Sequence, residues 1–164
     1  MRVLGIDPGT LSFGYGIVDE SSEGIVMVDC GVLTFSSRTP IEKRLCSSYR
    51  SLEEIIERYR PDVVAVEEPF VAKNARSALA IGRAQAMAML AAANRGLAVF
   101  RYLPTQVKQQ VTNYGGSDKG QVQEMVRIQL GLCQAPQPLD VTDALAVAIC
   151  HLHKVHFDLL LAEH

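Results

Sequence analysis

Four acids in this chain stand where packing alone does not account for a carboxylate: Asp7, Glu67, Asp140 and Asp143. Asp7 closes the apolar run Val3–Ile6 and precedes a Pro-Gly-Thr turn. A lone carboxylate beside such a run costs several kcal/mol to bury unless something compensates its charge. Gly5, Gly9 and Gly14 leave room nearby for a ligand or another stretch of backbone. Ordinary Asp-Pro-Gly turn chemistry is the competing explanation. Glu67 closes a second apolar run, Val63–Val66, and is followed directly by Glu68. Successive strand side chains point to opposite faces, so only one of these glutamates can join Asp7, and alternation alone does not say which. Asp140 and Asp143 are spaced i, i+3 at the start of an apolar helical pattern, which places their Cβ atoms about 5–6 Å apart on one face. Either one alone reads equally well as a first-turn acid favoured by the helix dipole. Four gathered carboxylates repel one another and require cations. Oxygen-only donors select hard ions, Mg²⁺ with Mn²⁺ as a substitute, over zinc. Two such ions roughly 4 Å apart suit phosphodiester hydrolysis.

The elements that must position these acids follow from periodicity and turn chemistry. Arg2–Asp7 reads as a short buried strand, and Gly14–Val18 and Ile25–Phe35 as two more, with residues 21–24 turning between them. Ile41, Leu45, Tyr49, Leu52, Ile55 and Ile56 recur at helical spacing from Pro40 to Tyr59, where Pro61 stops the pattern. Val63–Glu67 is continuous enough for a strand covered on both faces. An Ala-rich helix runs from an Asn74 cap to Asn94, and Ala98–Leu103 is the fifth strand. Shorter helices are expected at Pro104–Gln110 and Gln121–Gln129, around a polar loop at Asn113–Gly120. Pro136 and Pro138 precede a last helix, Asp140–His153. Three hairpin-like strands followed by alternating helices and strands predict an α/β fold: one five-stranded mixed sheet flanked by helices on both faces. If the first and fourth strands are parallel neighbours, Asp7 and Glu67 end at the same sheet edge. One nuclease domain over residues 1–153 and a C-terminal tail, 154–164, are expected.

Composition narrows the class. A 48% hydrophobic content and mean hydropathy of +0.12 exclude a disordered chain. No apolar run is expected to reach the roughly 18 residues of a membrane span. The N-terminus meets Asp7 and Pro8 too early for a secretory signal, so a cytoplasmic protein is expected. Cys30, Cys46, Cys133 and Cys150 lack zinc-ligand or disulfide-framework spacing and read as ordinary thiols. The net charge of −2 conceals a segregation. Residues 1–72 carry 7 basic and 12 acidic side chains, whereas residues 73–127 carry 8 basic and 2 acidic. A basic central third is what phosphate contact requires, and solvated helix faces pointing in different directions explain it equally well.

Four stretches in this order resemble the RuvC family of Holliday-junction resolvases: GIDPGTLSFGYGIV (5–18), AVEEPFVAKNARSALAIGRAQ (65–85), PTQVKQQVTNYGGSDKGQVQ (104–123) and DVTDALAVAICH (140–151). The resemblance runs from about Arg2 to His153. It implies an RNase H-like fold and a homodimer. It also implies paired, symmetric, Mg²⁺-dependent nicks in a four-way DNA junction, leaving 5′-phosphates, in recombination and repair. The family pattern places the catalytic, metal-holding acids on Asp7, Glu67, Asp140 and Asp143, selecting the first glutamate of VEEPF. By the same resemblance, Lys108 and Lys119 serve cleavage as phosphate contacts, and Phe70 wedges or stacks at the crossover. Lys73, Asn74 and Arg76 would position the DNA backbone. The Ala-rich helix, with Ala75, Ala78, Gly82, Ala86 and Ala93, would form the dimer interface, and a RuvA/RuvB-type branch-migration complex is the implied partner. Pro69 and the tail from Lys154 depart from the family pattern, and His151 and His153 read as helix-end residues. Rival readings are an RNase H-like nuclease acting on RNA or linear DNA, and a junction-binding module without catalysis.

Overall fold

Alternation along each strand gives the sheet two different faces, and strand register decides what each face collects. The computed structural model describes residues 1–68 and 75–162. Its strands are β1 (Arg2–Asp7), β2 (Ser12–Ser21), β3 (Gly24–Thr34), β4 (Val63–Glu67) and β5 (Ala98–Tyr102). They form one sheet in the order β3-β2-β1-β4-β5. β1 pairs antiparallel with β2 and parallel with β4, which is parallel to β5. The expected five-stranded mixed sheet is therefore present. β2 and β3 make a longer hairpin than the sequence pattern suggests, with a register shift at Ile17/Val18.

One face of the sheet carries Leu4, Ile6, Ile17, Val64 and Val66. It packs against Leu52 and Ile56 of α1 (Ile41–Tyr59) and against Met87, Ala88, Ala91 and Ala92 of α2 (Ala75–Asn94). The other face carries Val3, Val18, Ala65 and Tyr102 beneath α3 (Pro104–Thr112), α4 (Lys119–Gln129) and α5 (Leu139–Ala162). α5 lies very close to β1 and β2 because glycines face it. A Cβ at Gly5 would stand 2.0 Å from the Ala144 carbonyl oxygen, and one at Gly14 would stand 2.2 Å from that of Asp140. The room expected around these glycines is taken by a helix backbone.

Two expectations change. α5 continues to Ala162 instead of ending at His153, and Phe157, Leu159, Leu160 and Leu161 on the extension are exposed. An 18-residue window of α5 has a mean hydropathy of 1.4, enough by length and composition for a membrane span, although polar residues interrupt it. Half of that apolar window is buried inside the protein, however, because Ala144–Leu152 form an unbroken buried run against the sheet. The basic central third is also divided. Arg95 pairs with Glu53 and Glu57 of α1, Arg101 of β5 with Glu68, and Arg127 with Glu124 within α4.

Candidate active site

The register of the two central strands assembles the acid cluster. Gly5 pairs with Ala65 and Ile6 with Val66, so Asp7 and Glu67 end side by side on the α5 face. Glu68 faces away and meets Arg101 at 3.3 Å. α5 begins over the same strand ends and brings Asp140 and Asp143. These four acids, with Lys108 of α3 and Lys119 of α4, line a single pocket of about 300 Å3. Pro104, Val107, Val122 and Ala146 supply its apolar wall.

Local capping places the lysines. Pro104 starts α3, and the Gln106 side chain accepts from the Leu103 amide at 2.9 Å, so Lys108 falls one turn into the helix beside Val107. Asp118 and Gln121 cap α4 reciprocally: the Asp118 carboxylate accepts from the Gln121 amide and the Gln121 side chain from the Asp118 amide, both at 2.9 Å. That capping box makes Lys119 the first residue of α4, two residues ahead of the helix start read from periodicity.

Each acid has a distinct partner. The carboxyl groups of Asp7 and Glu67 stand close enough to interact, which favours a proton on one of them. Burial and the neighbouring carboxylates push Asp7 up to about 7 and Glu67 up to about 8. Lys119 donates to Asp143 at 2.9 Å, and that bond holds its ammonium above the ordinary lysine value. Ser12, which the sequence reading passed over, donates to Asp140 at 2.5 Å. Among the described residues, no three acids stand in a ready-made metal cage. The donor chemistry is nonetheless oxygen-only and strongly acidic, and it fits hard divalent cations.

The remaining candidates fall in different places. Phe70, Lys73 and Asn74 lie outside the described residues, as does Pro69. Arg76 is exposed in the first turn of α2. His151 is not at a helix end: it is buried within α5, and its Nδ1 is hydrogen-bonded to the Tyr102 hydroxyl at 2.7 Å. Burial pushes its imidazole below the ordinary histidine value. His153 donates from Nδ1 to the Gln110 carbonyl at 3.0 Å, tying α5 to α3.

A mixed five-stranded sheet with acids at the carboxyl ends of its two central parallel strands, joined by acids from a helix across them, defines an RNase H-like nuclease. Residues 3–151 match the family model for the crossover junction endodeoxyribonuclease RuvC, and the chain belongs to that family. RuvC of Dehalococcoides mccartyi is 54% identical over 151 residues, covering 92% of this chain and 90% of its own length. Thermus thermophilus RuvC superposes with a TM-score of 0.90 at 34% identity, over 96% of this chain and 97% of that one. The same Thermus protein in complex with a Holliday junction substrate gives a TM-score of 0.88 at 34% identity, over 96% of each chain.

Proposed function

We propose that this chain resolves four-way DNA junctions as a homodimer in recombination and repair. Each protomer nicks one of two symmetric strands and leaves a ligatable 5′-phosphate. The pocket supports this reading most directly: four carboxylates and two lysines converge on one cavity. Asp7, Glu67, Asp140 and Asp143 would hold Mg²⁺, two ions per site, with Mn²⁺ as a substitute. When bound, such ions lower the pKa of water and stabilise charge on phosphodiester oxygens.

The protein's own groups do the rest. Lys119 and Lys108 offer positive charge to a phosphate and to the additional negative charge it develops during cleavage. The apolar wall of Pro104, Val107, Val122 and Ala146 limits water, which strengthens each charge interaction inside the pocket. Phe70 would stack on bases exposed at the crossover, while Lys73, Asn74 and Arg76 contact the backbone. Two strands must be cut and each chain carries one site, so a two-fold dimer supplies the second. Leu79, Arg83, Ala86, Leu90 and Ala93 form an exposed stripe at helical spacing along α2, suited to that interface. Residues 1–153 act as the nuclease domain, residues 154–164 are its tail, and the setting is cytoplasmic beside a RuvA/RuvB-type branch-migration complex.

A synthetic four-way junction tests the assignment. With Mg²⁺, Asp7→Asn is expected to bind the junction and leave it uncut. Nicking at the wild-type rate would sink it, and faster cutting of linear duplex or RNA–DNA hybrid would transfer the activity to another substrate.

A further inference from the structure

We propose that Ser12 is a positioning residue of the nuclease site, holding the Asp140 carboxylate in the orientation its cation requires. The proposal rests on Asp140 being a cation ligand. Oγ of Ser12 donates to Oδ2 of Asp140 at 2.5 Å, joining the first residue of β2 to the first turn of α5 across 128 positions of chain. Ser12 and Gly14 sit two residues apart on one strand and so share a face. Gly14 receives the Asp140 main chain, since a Cβ there would stand 2.2 Å from the Asp140 carbonyl oxygen. One strand face therefore seats both parts of residue 140, its backbone on Gly14 and its carboxylate on Ser12.

The hydroxyl comes from a well-anchored backbone. Ser12 pairs with Thr34 of β3, and the Phe35 amide donates to the Leu11 carbonyl at 2.9 Å. Arg44 of α1 donates to the Thr10 carbonyl at 3.0 Å, fixing the preceding turn from the other side of the sheet. The chemistry of the partner matters as well. Asp7 and Glu67 stand side by side at the ends of β1 and β4, and Asp143 is neutralised by Lys119. Ser12 instead orients Asp140 with a neutral donor, which leaves the carboxylate's charge for a cation. Hydrogen-bond partners behind metal ligands commonly work in this way, and their loss costs 10- to 100-fold in metal affinity or activity.

The test is Mn²⁺ titration of the full chain, with free Mn²⁺ read by its electron paramagnetic resonance signal. The variants are Ser12→Ala, Ser12→Cys and Ser12→Thr, with Asp140→Asn as reference and a melting curve recorded for each. Removing the strong donor in Ser12→Ala and Ser12→Cys is expected to weaken Mn²⁺ binding about tenfold. Ser12→Thr, which keeps the hydroxyl, should bind as wild type does, and junction affinity should not move. Wild-type Mn²⁺ affinity in both the alanine and the cysteine variant, with Asp140→Asn impaired, overturns the role of Ser12 alone. So does a threonine variant as weak as the alanine one. Wild-type affinity in Asp140→Asn removes the ligand reading itself, and the proposal with it.

Discussion

Asp7 and Glu67 carry a charge problem that is visible without any substrate. Both are half-buried, and burial raises both, with Asp143 and Asp140 adding to the effect on Asp7 and Asp7 and Asp143 to that on Glu67, from ordinary values of 3.8 and 4.5 to about 7 and about 8. The sign of the stability effect follows from proton binding. Between about pH 4 and pH 8 the folded protein keeps protons that the unfolded chain has released, so stability falls as pH rises through that window. Asp7→Asn removes one of the paired charges. Without divalent cation at pH 8, it is expected to be more stable than wild type by on the order of 2 kcal/mol, with a flatter pH profile. Adding Mg²⁺ should raise the wild-type melting temperature more than that of Asp7→Asn. Calorimetry across this range checks both points, and a wild-type profile unaffected by pH and Mg²⁺ would show that the pair is not strained.

At the scale of elements, the site depends on how closely α5 can approach β1 and β2. Gly14 is the clearest control point, since its neighbour is backbone and no rotamer change can make space. Gly14→Ala is expected to cost about 1–3 kcal/mol in urea denaturation, as over-packing usually does. Its nicking rate should fall further than that loss of stability explains, because the displaced atom belongs to Asp140. Full activity in a folded Gly14→Ala protein would mean that the α5 position is not critical. The capping box at Asp118 plays the corresponding part for α4, because it decides which residue begins the helix and thereby where Lys119 emerges.

For the whole molecule, charge segregation in the chain does not become one basic face in space. Arg95, Arg101 and Arg127 are engaged on separate elements, while Lys108 and Lys119 are retained at the pocket. On the proposed reading, junction binding then draws on the lysines near the acids and on a second protomer. On α2, Leu79 and Leu90 are 57% and 56% exposed and lie eleven residues apart, three turns along one stripe. If α2 forms the proposed dimer interface, Leu90→Glu is expected to give a monomer by light scattering while leaving the melting curve of the fold intact. Junction nicking should then lose its pairing, giving single nicks in place of resolved duplexes. A Leu90→Glu protein that remains dimeric would move the interface elsewhere.

Local physics made much of this protein legible in advance. Apolar runs, proline stops and i, i+3 spacing are properties of neighbouring residues, so the strands, most helix limits and the acids Asp7, Asp140 and Asp143 could be read from one chain. The choice of Glu67 over Glu68 was different: residues alone left it open, and only the family pattern separated them. The physical reason is the parallel register of β1 and β4, which joins segments about sixty residues apart and turns Glu67 to the α5 face. Ser12 was missed for the same reason, since its partner lies 128 positions away. The buried His151–Tyr102 bond and the paired arginines also depend on distant elements meeting. Sequence by itself determined which elements form and which residues could do chemistry. Tertiary structure decided which side chains share a face, because register and helix docking are set by packing between parts of the chain that carry no local record of each other.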